Sequence, residues 1–239
     1  MIGFVIALSS ETPTLLKKMT YVHTSVVNNH EVYILKFLDD YACLIYSGVG
    51  KVNAATATQI LIDCFKTNIV INVGSCGSLV ANLKVNDIVI PNIVGYYDVD
   101  VTAFGYGLNQ VPKQPIDFLT TRELNEKILD IIKLYPNSLS HGKLVSGDTF
   151  INQKNINKFN FDEKAVAVDM ESAAVIQTCS KNKISCAIIK VVSDSIFHSK
   201  QNNTDWNKNI TDVGKLIDLI INDVAYFLIY NNQNKILKV

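Results

Sequence analysis

The chain has 239 residues, 48% of them hydrophobic and 18% charged, with 22 Lys+Arg balanced by 22 Asp+Glu. That length buries a full core in one large domain or two small ones, and that composition excludes a disordered or fibrous chain. Zero formal charge excludes the cation-rich face that a nucleic-acid grip requires, so no nucleic-acid partner is expected.

The first predicted element is an apolar strand over 2–8. It has no cation before Lys17, where a signal peptide would carry one and a longer apolar run. Ser9 or Ser10 is placed to cap a helix over 11–19. A turn at 26–29, followed by His30, joins two strands, the second over 32–37. A strand over 42–46 leads through Ser47-Gly48-Val49-Gly50-Lys51 into a helix over 52–65. Strand 69–73 runs into Gly74-Ser75-Cys76-Gly77-Ser78, and a further strand covers 87–94. Then come a helix over 122–134, a strand over 144–146, a helix over 170–180 and a strand over 186–192. The last helix runs from about 205 to 229; Asp218 and Asp223 break its apolar stretch, which is too short and charged to span a bilayer. Short apolar runs alternating with helix-period segments give an α/β fold. With no repeat or linker, one domain over 1–239 is expected.

Cys43, Cys64, Cys76, Cys179 and Cys186 form no C-x-x-C pair, which fits free thiols in a reducing cytoplasm. His23, His30, His141 and His198 lack metal-ligand spacing, so no metal is expected. Arg122 is the only arginine, so a site built from several guanidinium clamps on phosphate is beyond this chain alone.

In open α/β sheets, ligands bind beyond the carboxyl ends of the strands, and four polar or Gly-rich stretches fall at such ends. Gly48-x-Gly50 starts like a dinucleotide fingerprint, but Asn53 stands where the third glycine belongs. Gly74 to Ser78 resembles a nucleophile elbow around Cys76, yet Ser78 replaces its final glycine and nothing selects His141 or His198 as base. The carboxylates carry more weight. Asp169-Met170-Glu171 opens a helix, where the helix dipole alone would account for acids, but the run 165–168 before it is apolar and reads as buried. Asp194 follows another apolar run, and Glu11 follows the first strand. Converging carboxylates without metal ligands suggest acid–base work on a leaving group.

At these positions the chain resembles the 5′-methylthioadenosine/S-adenosylhomocysteine nucleosidases of the purine nucleoside phosphorylase/hydrolase superfamily. The resemblance is carried by Ser47-Gly48-Val49-Gly50-Lys51-Val52, Asp87-Ile88-Val89 and Asp100-Val101-Thr102-Ala103-Phe104-Gly105-Tyr106. It continues through Val145-Ser146-Gly147-Asp148-Thr149-Phe150-Ile151-Asn152, Asp169-Met170-Glu171 and Val192-Ser193-Asp194. It implies a three-layer α/β/α sandwich with a mixed, partly barrel-like sheet, and hydrolysis of the N-glycosidic bond of methylthioadenosine, S-adenosylhomocysteine and 5′-deoxyadenosine without a cofactor. Residue by residue, it implies that Glu11 activates water and that Asp194 protonates adenine N7, with Ser193 beside it. Met170 and Glu171 would hold the ribose, while Phe150 stacks on the purine and the Ile151 backbone bonds its edge. Ser75 and Gly77 would form the floor, and Leu8, Val49, Val101 and Phe104 would line the ribose and 5′-thio group. Tyr106 and Pro112 would reach a partner's site, which implies a homodimer.

The chemistry suits these side chains. Cleavage passes through an oxocarbenium-like state; protonating the base relieves one developing charge and a carboxylate stabilises the other. Free Asp titrates near ~3.9, so Asp194 needs burial beside another acid to keep its proton. Where phosphorylases hold phosphate with arginine, Arg122 falls in an ordinary-looking helix, which favours water as nucleophile. The rivals are a purine nucleoside phosphorylase, a Cys76-dependent hydrolase and a non-catalytic adenosine-binding module. The chain departs from the family at Ser9-Ser10, at Cys76 and Ser78, and across 195–206, where Phe197 and Trp206 are the aromatic candidates for a lid residue.

Overall fold

The computed structural model describes residues 1–19, 21–37, 40–197 and 202–236. The elements are β1 (Ile2–Ile6), α1 (Leu15–Lys18), β2 (Tyr21–Val27), β3 (His30–Phe37), β4 (Asp40–Tyr46), α2 (Lys51–Phe65), β5 (Ile69–Ser78), β6 (Ile88–Val89) and β7 (Ile93–Tyr96). They continue with β8 (Asp117–Leu119), α3 (Arg122–Ile132), β9 (Leu139–Ser140), β10 (Lys143–Ser146), β11 (Ala165–Asp169), α4 (Ser172–Asn182), β12 (Ser185–Ser195) and α5 (Asn202–Ile236). One mixed sheet runs in the order β2-β3-β4-β1-β5-β11-β10-β7-β8, with β12 pairing β5 and β6, and β9 pairing β6.

The central strands are apolar on both faces because helices cover both. Ile2, Phe4 and Ile6 of β1, with Ile71 and Val73 of β5 and Ala187, Ile189 and Val191 of β12, pack with α3 and α5. The alternate residues Val5, Val70, Cys186, Ile188 and Val192 pack with α2 and α4 on the other face. This is the α/β/α layering expected.

Strand β5 is the branch point. Along one edge it pairs in parallel with β1 from Ile69 to Asn72, then antiparallel with β11 at Gly77 and Ser78. Along the other edge β12 follows it from Ile69 to Ser78. Between Asn72 and Gly77 the first edge therefore has no strand partner.

Several expected boundaries move. The helix over 11–19 is instead a 3-10 turn, Ser9–Glu11, followed by the short α1. Pro13 lacks an N–H and bars its predecessor from helical geometry, and Thr12 sits at φ −137°, ψ 64°. Neither Ser9 nor Ser10 caps a helix through its side chain. Strand 87–94 is two strands, β6 and β7, divided at Pro91. Gly74 to Ser78 is strand rather than loop, and Asp194 lies within β12 rather than after it. The turn expected before His30 is a tight hairpin with Asn28 and Asn29 both left-handed, at φ 49° and 63°.

Candidate active site

Glu11 enters the gap in the β5 edge. Ser75 N–H has no strand partner there and donates to Glu11 Oε1 at 2.7 Å, as does Ser75 Oγ. Leu8 N–H donates to Oε2 at 3.1 Å, so the 3-10 turn is closed by the carboxylate itself. This approach demands Gly74, because a Cβ there would lie 3.0 Å from Glu11 Oε1 and 3.3 Å from Lys190 Nζ.

The second wall is the passage from β11 into α4. Asp169 ends the strand and accepts from Ser146 Oγ and Ser172 Oγ. Glu171 is the N-cap of α4, whose first residue, Ser172, comes two residues after the expected helix start at 170. Its Oε1 accepts Gly50 N–H at 2.9 Å and its Oε2 accepts Met170 N–H at 3.3 Å. Gly50 is the N-cap of α2, so Glu171 lies against the positive end of that helix. The turn needs glycine: Gly50 has φ 99°, and a Cβ would come 3.1 Å from Asp148 Oδ1. Beside it, Lys51 Nζ reaches Asp98 at 2.7 Å and Asp148 at 3.6 Å, tying the α2 start to the loops after β7 and β10.

Behind these acids stands Lys190, 2.9 Å from Asp169 Oδ2. Burial alone would push its pKa down; the surrounding Asp169, Glu171 and Glu11 outweigh that and raise it. Glu171 is pushed up to about 7, first by burial and then by Asp169 and Glu11, against Lys190 and the Gly50 N–H.

The third wall is the end of β12. Val192 pairs with Cys76 but Asp194 with Gly77, leaving Ser193 as an extra residue in a bulge. Bulges re-aim side chains beside active sites. Asp194 is buried, with Ser193 Oγ 2.8 Å from its Oδ1.

A cavity of about 330 Å³ lies between these walls, at the small end for a ligand site. Its lining brings together Leu8, Glu11, Val49, Ser75, Gly77, Phe150, Ile151, Met170, Glu171, Ser193 and Asp194. Absent from it are Val101, Phe104, Tyr106 and Pro112, all on the surface excursion between β7 and β8, with Phe104 81% exposed. Of the aromatic candidates after Asp194, Trp206 lines the cavity and Phe197 does not; residues 198–201, including His198, lie outside the described residues. Cys76 also lines the cavity, but burial pushes its thiol far up, so it holds no thiolate. His141 faces the Ile90 carbonyl instead. Sequence reasoning passed over Lys190, although a lone charge inside an apolar run was its signal.

Residues 1–222 match the phosphorylase superfamily. The 5′-methylthioadenosine/S-adenosylhomocysteine nucleosidase of Buchnera aphidicola is 38% identical over 232 residues, covering 93% of this chain and 98% of the relative. The S-adenosylhomocysteine nucleosidase of Streptococcus pyogenes, solved with 5-methylthiotubericidin, superposes with a TM-score of 0.86 at 27% identity, covering 94% of this chain and 95% of that one. The corresponding Neisseria meningitidis nucleosidase, solved with methylthio-immucillin-A, gives 0.83 at 29% identity, covering 94% and 98%.

Proposed function

This chain belongs to the phosphorylase superfamily and, within it, to the 5′-methylthioadenosine/S-adenosylhomocysteine nucleosidases, and from that premise we propose how its residues cleave the N-glycosidic bond. The family's enzymes are N-glycosyl hydrolases, and this chain hydrolyses those two nucleosides. We extend the range to 5′-deoxyadenosine, whose small apolar 5′ end suits a cavity walled by Leu8, Val49 and Met170.

Phe150, at the cavity mouth, stacks on the purine, and the Ile151 backbone bonds its edge. Glu171 takes the ribose hydroxyls, with Met170 against the sugar. Asp194 acts in its protonated form: as the C1′–N9 bond breaks, the electron pair passes into adenine and the Asp194 proton goes to N7. Water adds its oxygen to C1′ and gives a proton to Glu11. Glu11 ends protonated and Asp194 ionised, and exchange with solvent restores both.

One observation carries the choice of water over phosphate. The charged side chains lining the cavity are the carboxyl groups of Glu11, Asp169, Glu171 and Asp194, with no lysine or arginine among the described lining residues. Arg122 is 91% exposed and pairs with Glu126, and Lys190 is already paired with Asp169. A phosphate dianion would meet carboxylates without a cation to hold it. Adenine release from 5′-methylthioadenosine, measured in phosphate-free buffer and with added phosphate, tests this. Equal rates are expected; release that requires phosphate would make the enzyme a phosphorylase, and binding without release a non-catalytic module.

The acting unit is a homodimer in this reading, with the excursion bearing Val101, Phe104, Tyr106 and Pro112 completing the partner's 5′ subsite. The exposure of Phe104 supports it, since so large an apolar ring gains by being covered. The free thiols agree with a cytoplasmic enzyme, and no described helix is long and apolar enough to cross a membrane.

A further inference from the structure

One face of α5 bonds the serine that stands beside each of the two acids. Trp206 Nε1 lies 3.2 Å from Ser75 Oγ, which lies 2.7 Å from Glu11 Oε1. Three residues on, Asn209 Nδ2 donates to the Ser193 carbonyl at 2.8 Å, and Ser193 Oγ lies 2.8 Å from Asp194 Oδ1. Residues three apart share a helix face, which is why both bonds form from one turn. We propose that Trp206 and Asn209 are a pair of positioning residues, Trp206 aiming Glu11 through Ser75 and Asn209 aiming Asp194 through Ser193. The inference rests on the base and acid roles given above to Glu11 and Asp194.

An indole N–H can only donate, whereas a serine hydroxyl has one proton and two lone pairs. With Trp206 on a lone pair, the Ser75 proton is directed to Glu11 Oε1. That oxygen also accepts Ser75 N–H, while Oε2 accepts Leu8 N–H at the longer 3.1 Å. Oε2 is therefore the oxygen with capacity for the proton of the attacking water. At the other acid, Ser193 is the residue the bulge leaves out of the ladder. Asn209 gives its carbonyl a partner and so fixes the bulge that aims Asp194.

The test is the pH dependence of kcat/KM for adenine release, compared among the wild type, Trp206→Phe and Asn209→Ala. Trp206→Phe keeps an aromatic ring and loses the N–H. It should lower kcat about 3- to 10-fold, the range of one hydrogen bond, with KM nearly unchanged. Its acidic limb should move to higher pH, because a carboxylate with weaker hydrogen bonds is protonated more readily, and its alkaline limb should stay. Asn209→Ala should lower kcat similarly and move the alkaline limb up, since Ser193 Oγ bonds the ionised form of Asp194; its acidic limb should stay. Lys190, Glu171, Tyr46 and Cys76 also face Glu11, and Cys76 faces Asp194. These groups are common to all three proteins, so a displacement relative to wild type belongs to the pair. Trp206 is the only tryptophan, and unchanged emission in Asn209→Ala verifies that α5 is docked. A uniform loss at every pH, or no loss in either variant, overturns the proposal. Glu11→Gln and Asp194→Asn are run in parallel: abolished release there with unmoved limbs in the pair overturns the positioning roles alone. Retained release there overturns the acid and base assignments, and the pair with them.

Discussion

Lys190 Nζ lies 2.9 Å from Asp169 Oδ2, with both side chains 2% exposed, so this ion pair is sealed from water. Removing one partner from such a pair strands the other. Lys190→Met would leave Asp169, Glu171 and Glu11 buried without their cation, at a cost of about 3–5 kcal/mol. Denaturant unfolding should show that loss, and adenine release should fall with it. An unchanged midpoint would mean that the lysine is not the counter-ion.

Glu171 ties stability to pH. Its pKa is raised from 4.5 to about 7, so between those values the folded chain holds a proton that the unfolded chain has lost. Its contribution is complete below about pH 4.5 and is lost as pH rises through about 7. The loss is on the order of 3 kcal/mol. Glu171→Gln should therefore lack this decline and melt above the wild type at pH 8, while its KM rises through the missing carboxylate on the ribose. Parallel melting curves for the two proteins from pH 5 to 8 would count against the assignment.

Gly74→Ala tests the closeness of Glu11 to β5. The new methyl would stand 3.0 Å from Glu11 Oε1, and β5, paired on both sides below it, has little room to yield. kcat should fall at least tenfold by displacement of the carboxylate, with KM affected less. Wild-type turnover would show that Glu11 does not need this position.

Glu11→Gln and Asp194→Asn should each reduce turnover by roughly 10²–10⁴-fold, the range of one general acid or base. Cys76→Ala should keep most activity, because that thiol is held protonated by burial. Inactivation by loss of Cys76, with both acid variants active, would revive a thiol mechanism.

The excursion between β7 and β8 should matter in trans. Phe104→Ala should raise KM for methylthioadenosine and weaken the dimer in sedimentation, with kcat largely retained. A monomeric wild type with full activity would contradict the shared site.

Part of the cavity lining could be named in advance because its residues break local patterns, while Phe150, Ile151 and Met170 could be named only through the family resemblance. Glu11 and Asp194 end apolar runs, and Gly48 and Gly50 stand where a strand turns into a helix. The bulge at Ser193 could not be read, since an extra residue leaves hydropathy unchanged while turning Asp194 toward the cavity. Nor could the extent of β5: Gly74 and Gly77 look like a loop in one dimension, and pairing with β12, joined at Gly77 by β11, makes them strand. Strand β8, of three residues, is too short to establish a period, and Tyr21–Val27 in β2 carries no alternation of apolar and polar residues to mark it. Lys190 was visible but reads as an ordinary strand interruption until the acids around it are assembled.

The branching of β5 also decides where this enzyme can change. One inserted residue there would shift the ladders to β1, β11 and β12 together and carry the Ser75 amide away from Glu11. Its length and register are thus nearly closed to insertion and deletion, and drift in this strand is confined to substitutions that keep the backbone in place. On the reading proposed above, altered substrate preference would accumulate in segments outside every ladder, such as the excursion over 101–112, where length can vary without moving the two acids.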